Sequence, residues 1–171
     1  EYDGEEEVRE IEAFYLDAIA SAKMTIYCES QYFASRRIAS AMAERLQERD
    51  GPEIVIVNPE SADGFLEAVT MDTARARLLG LIGKADRYGR FRIFTPVTKN
   101  RQPIYVHAKI LIVDDRLLRV GSSNINNRSM GFDTECDLIV EAAPDGEDSA
   151  NLRATIITVR DDLLAEHLGI R

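Results

Sequence analysis

Tryptophan is absent, and only two histidines and two cysteines occur in 171 residues. Two cysteines cannot build a disulfide-stapled framework, and with no further Cys or His nearby they offer no metal-ligand spacing. Cys28 and Cys136 both stand in apolar, strand-like segments and read as buried free thiols. No apolar run is long enough to span a membrane, and no signal peptide is legible. The expected location is therefore the cytoplasm or the membrane periphery, and because the first residue is Glu1, the true N-terminus is expected to lie further upstream. Positive charge is also short. Lys and Arg number 21 against 30 Asp and Glu, giving a net charge of -9 and a pI near 4.8. A nucleic acid is thus not the preferred partner, since proteins that track phosphate backbones carry a positive excess.

What is present reads as one domain over residues 1–171, long enough to bury about 70% of its unfolded surface. Val8, Ile11, Phe14 or Tyr15 and Ala18 or Ile19 recur at helical spacing behind an acidic first turn, predicting a helix over residues 5 to 22. Met24 to Cys28 alternates as a strand. Ser35 caps a second helix reaching about Arg49, which Asp50-Gly51-Pro52 ends, and Glu53 to Val57 is a short buried strand. Residues 65 to 88 are helical, with a break or kink expected near Met71-Asp72 or Gly80 to Gly83; Arg75 and Arg77 read as a solvated face. A strand from Arg90 to Thr95, a strand from Thr134 to Glu141 and an amphipathic helix over 149 to 168 complete an α/β fold, an α/β/α layered domain with a mixed sheet.

The distinctive stretch runs from residue 104 to 124. Ile104 to Val113 is almost wholly apolar and β-branched, interrupted by His107 and Lys109, and reads as a strand covered on both faces. Two residues apart, those side chains share a face. Asp114-Asp115-Arg116 supplies a turn, and Leu117 to Val120 begins a return strand, so an antiparallel hairpin brings Gly121-Ser122-Ser123-Asn124 back beside His107 and Lys109. An imidazole, an ammonium, a hydroxyl, a carboxamide and a glycine that admits close backbone approach are the groups a phosphate needs. Asp114, an odd number of residues from His107, faces away and is assigned to holding the turn. Lys99, Arg101, Lys109, Arg116, Arg119 and Arg128 leave room for a local basic patch here despite the overall acidity. Six specified residues at fixed spacing arise by chance on the order of once in a million such chains.

That pattern, H-x-K-x(4)-D-x(6)-G-S-x-N, resembles the signature of the phospholipase D superfamily of phosphodiesterases. Asn126 to Gly131 with Thr134 to Asp137 resembles the segment after the C-terminal signature of two-signature members. Ile26-Tyr27-Cys28-Glu29-Ser30-Gln31-Tyr32-Phe33 is similar to the strand preceding that signature, and Arg160 to Gly169 to the closing helix of bacterial members. The resemblance implies that His107 and Lys109 are catalytic, that Lys109, Ser122 and Asn124 meet the phosphate, that Asp114 and Gly121 are structural, and that Glu135 orients the imidazole. It implies a phospholipid diester substrate, a phosphohistidine intermediate, no cofactor and no metal. Phe65, Leu66 and Met71 fall where a substrate cleft is bordered and could touch lipid, with peripheral membrane contact. His167 has no lysine two residues on and reads as a surface or packing residue.

The family's chemistry uses two such signatures, and here there is one, with no second His-x-Lys and no internal repeat. The expected partner is accordingly an N-terminal half bearing a second signature, or else a second copy of the chain, as in single-signature nucleases of the family. A non-catalytic half-domain is the remaining alternative.

Overall fold

The computed structural model describes residues 8–60, 65–144, 146 and 148–170, and for residues 65–72 the backbone alone. In chain order the elements are α1 (Glu10–Ser21), β1 (Thr25–Ser30), α2 (Arg36–Gln47), β2 (Glu53–Val57), α3 (Phe65–Ala85), β3 (Phe91–Phe94), β4 (Lys109–Val113), β5 (Leu117–Gly121), β6 (Asp137–Glu141) and α4 (Ser149–Leu168). The strands form one mixed sheet in the order β3-β2-β1-β4-β5-β6, with β1, β2 and β3 parallel and β4, β5 and β6 joined antiparallel.

Side chains alternate across a sheet, so each strand feeds two cores. Ile26, Cys28, Ile54, Ile56, Leu111 and Val113 pack with Tyr15, Ile19, Ile38, Met42, Leu46 and Ile82 from α1, α2 and α3. Tyr27, Val57 and Ile112 pack on the other side against Ile156, with Leu152 and Val159 of α4 beside them. The result is the expected α/β/α layering. Ser35 caps α2, its hydroxyl accepting from the Ile38 N–H at 3.4 Å, and Gly169 takes the left-handed conformation that ends α4.

The hairpin turn is fixed by Asp114. Arg116 N–H closes on the Val113 carbonyl at 2.9 Å, and Asp114 and Asp115 both have φ of 53°, the positive sign that matches strand twist in a tight hairpin. The Asp114 carboxylate accepts from the backbone N–H groups of Lys23, Met24 and Thr25 at 2.7, 2.7 and 2.8 Å, tying the turn to the start of β1. Asp114→Ala strips three donors of one charged acceptor. The expected loss is about 2 kcal/mol in denaturant unfolding, and a loss under about 0.5 kcal/mol would contradict this role.

Several expectations need correction. Strand β4 starts at Lys109, leaving residues 104 to 108 outside it, because β1 runs out: Ser30 pairs with Lys109, and among the described residues nothing continues that ladder. Ile104 and Tyr105 are exposed. Helix α3 is continuous from Phe65 to Ala85 through both glycines, and α1 opens at Glu10, its first-turn acids being Glu10 and Glu12. Strand β6 begins at Asp137, so Glu135 and Cys136 precede it, and Cys136 is exposed. Cys28 is buried, and burial pushes its thiol up to about 12. The cleft-wall expectation for Phe65, Leu66 and Met71 falls on side chains outside the described residues. Among the described residues no helix is long and apolar enough to cross a membrane.

Candidate active site

The carboxyl ends of β1 and β2, the start of β4 and the end of β5 meet at one edge of the layered sheet. That edge gathers His107, Lys109, Ser122 and Asn124. His107 sits in the segment just before β4 and is exposed, while Lys109, at the first position of β4, is half-buried. Lys109 Nζ lies 3.3 Å from His107 Nδ1 and donates to the His107 carbonyl at 2.8 Å. Burial lowers the Lys109 ammonium from its ordinary value, as does the Arg119 charge, while the Glu135 carboxylate acts in the opposite direction.

On the returning arm, Ser122 is exposed and its hydroxyl donates to Glu135 Oε2 at 2.5 Å while accepting from the Cys136 N–H at 2.9 Å. Glu135, expected to hold the imidazole, is thus joined to Ser122, and among the described residues no hydrogen bond links it to His107. Asn124 Nδ2 faces Gln31 Oε1 at 3.5 Å, and its buried Oδ1 finds no partner among the described residues. Gly121 lies close against β6: a Cβ there would stand 2.6 Å from the Cys136 carbonyl oxygen and 2.7 Å from Asp137 Cα. Asp114 lies at the opposite end of β4, at the turn.

Three polar residues that the sequence pattern did not single out support this edge. Arg119 is fully buried beneath it, donating to the Lys109 carbonyl at 3.0 Å, to the Ser123 carbonyl at 3.0 Å and to the carboxylate of Asp137, with the Tyr15 ring 5.2 Å from its guanidinium. Asp137 also accepts from the Ser123 hydroxyl at 2.7 Å. Arg119 therefore serves as an internal clamp on the Ser122–Asn124 loop. The anticipated basic patch thins further, since Arg116 pairs with Glu141 and Arg128 with Asp133. Gln31, just past β1, accepts from Lys109 Nζ at 3.1 Å. Knowing that β1 neighbours β4 would have placed Gln31 beside Lys109, but strand order is not written in local periodicity. His167 is not a bare surface residue: its Nε2 is 3.0 Å from buried Glu29, which also accepts from the Tyr27 hydroxyl at 2.5 Å.

The chain resembles known proteins over most of its length. A family model described as cardiolipin synthase, PLD-like domain, matches residues 15–156. The chain is 26% identical over 206 aligned positions to a phospholipase D of Phytophthora infestans, a match covering 94% of this chain but 11% of that protein, so the chain spans a small part of that relative. Among solved structures it is similar to Nuc, a phospholipase D family member from Salmonella typhimurium, with TM-score 0.60 and 19% identity over 88% of this chain and 84% of that one. It is also similar to the phosphatidylserine synthase of Haemophilus influenzae, with TM-score 0.69 and 15% identity over 92% of this chain and 36% of that one. At those identities the structural likeness is one of fold.

Proposed function

This chain belongs to the phospholipase D superfamily, and we propose that it is a phosphodiesterase domain acting on phospholipid head-group diesters, by hydrolysis or by transfer to an alcohol. The observation that carries this reading is an exposed imidazole held 3.3 Å from a half-buried ammonium at the open edge of the sheet. Lys109 and Asn124 bind the phosphate, and Ser122 with Glu135 supports their arm of the site.

The reaction proceeds in two displacements. One imidazole nitrogen forms a bond to phosphorus as the head-group oxygen leaves, and a second imidazole gives that oxygen a proton. Water or an alcohol then loses its proton to the second imidazole and attacks phosphorus, breaking the P–N bond. Nδ1 of His107 faces the Lys109 ammonium at 3.3 Å, which leaves Nε2 as the nitrogen that exchanges a proton with the leaving group and then with the water or alcohol. In this reading His107 is the general acid and base, opposite a nucleophilic histidine from another signature.

His167 is occupied by Glu29, so the nucleophile comes from outside this chain, either elsewhere in a longer polypeptide or in a second copy. The fold matches most of the Nuc chain and about a third of the synthase, consistent with either source. An uncovered apolar strip supports a partner: Val120 pairs with Leu138 and Leu118 with Val140, and Val120, Leu138 and Val140 are exposed on a face that α4 covers only in part.

Parallel assays of the assembled protein on phospholipid vesicles and on single-stranded DNA test the substrate class. Head-group release with the DNA left intact is expected, and the reverse would overturn the reading. Substrate affinity needs the Lys109 ammonium. KM for the diester is therefore expected to rise with pH through a pKa below the ordinary lysine value of about 10.4, and a KM flat up to that value would contradict the phosphate role.

A further inference from the structure

We propose, resting on the phosphate-site reading above, that Gln31 is a positioning residue that sets Lys109 and Asn124 at the spacing of two donors to one phosphate oxygen. Gln31 Oε1 accepts from Lys109 Nζ at 3.1 Å and faces Asn124 Nδ2 at 3.5 Å, so a cation from β4 and an amide from the loop after β5 converge on a single acceptor. The other end of the carboxamide is spoken for. Gln31 Nε2 donates to the Tyr105 hydroxyl at 2.8 Å and approaches the Tyr32 hydroxyl at 3.1 Å, which turns the proton-free oxygen toward the lysine.

The main chain of Gln31 is held as well. Its carbonyl and that of Ser30 accept from the buried Asn58 side chain at 3.2 and 2.7 Å, and Asn58 Oδ1 in turn accepts from Arg75 of α3 at 2.9 Å. Gln31 is thus anchored from β2 and α3 and reaches across to both arms of the hairpin.

The neutrality of the group matters. A lysine ammonium rides a flexible four-carbon stem, and an acceptor is needed to hold it in one place. A carboxylate would hold it more tightly but would also cancel its charge and repel an incoming phosphate. A carboxamide oxygen holds the ammonium and leaves its charge available.

The test is a 31P NMR titration of the complete protein with dimethyl phosphate, which stays monoanionic across the working pH range. Wild type, Lys109→Ala, Gln31→Met and Gln31→Glu are compared, with each thermal midpoint recorded. Gln31→Met is expected to weaken binding about tenfold, the cost of ordering on binding a lysine side chain that Gln31 no longer holds in place. Gln31→Glu is expected to weaken it on the order of 100-fold and to recover as pH falls through the new carboxylate's pKa, a dependence that mere packing would not produce. Gln31→Glu keeps the side-chain shape and carries the test alone if Gln31→Met fails to fold. Lys109→Ala losing affinity while the Gln31 variants bind like wild type would overturn the positioning role and leave the phosphate site standing. Lys109→Ala binding as well as wild type would overturn the phosphate site, and this inference with it.

Discussion

His107→Asn is expected to reduce diester turnover in the assembled enzyme by at least 100- to 10,000-fold, about the contribution of a positioned general acid and base. The fold should be untouched. His107 is exposed and lies outside the strands, the one hydrogen-bond contact of its ring among the described residues is with Lys109, and surface substitutions away from packed features change stability by about 0.5 kcal/mol or less. Steady-state kinetics beside a thermal melt separates the two effects. The loss should fall in kcat more than in KM, because Lys109 and Asn124 still bind the phosphate. Retained turnover would remove His107 from the reaction, and a melt that collapsed together with activity would make its role structural.

The second large effect is expected at Asp137. Its carboxylate and the Arg119 guanidinium form an ion pair with almost no solvent exposure, and Ser123 is bound to both. A buried charge without its partner is costly, so Asp137→Ala is expected to lose about 3 to 5 kcal/mol, on the order of 10 °C for a chain of this size. The double variant Arg119→Met/Asp137→Leu removes both charges and is expected to regain most of that stability while still loosening the Ser122–Asn124 loop. Thermal denaturation of the two variants checks this, and equal destabilisation in both would contradict the ion-pair account.

Much of the fold was legible because it is local. Ser35 at the head of α2, the strand Glu53–Val57, the Asp114-Asp115 turn and the span of α4 each follow from a cap, an apolar run or a breaker within a few residues. What failed depended on neighbours. Ile104 to Ala108 has the composition of a strand, but β1 ends opposite Lys109, and a strand cannot outlast its pairing. Thr134 to Cys136 fails in the same way: Gly121 pairs with Asp137, and β6 begins there.

The candidate site divides along the same line. His107, Lys109 and the Gly121–Asn124 arm are legible because one hairpin brings them together. Gln31 and Asp137 lie across strand neighbours, and Arg119 has the sequence context of a surface charge because its burial depends on α1 folding over it with Tyr15. Glu135, expected at the imidazole, lies instead against Ser122.

The central claim is that the His107 imidazole and the Lys109 ammonium face one phosphate. The chain has two histidines, and His167 is held by Glu29 on α4's side of the sheet, so one ring reports and the other serves as a control. Histidine ring proton spectra recorded during titration with dimethyl phosphate are the most direct measurement. The account predicts that the His107 signals move, that those of His167 stay, and that Lys109→Ala abolishes the movement. Shifts in neither ring, or in both alike, or a His107 shift that survives the loss of Lys109, would contradict it.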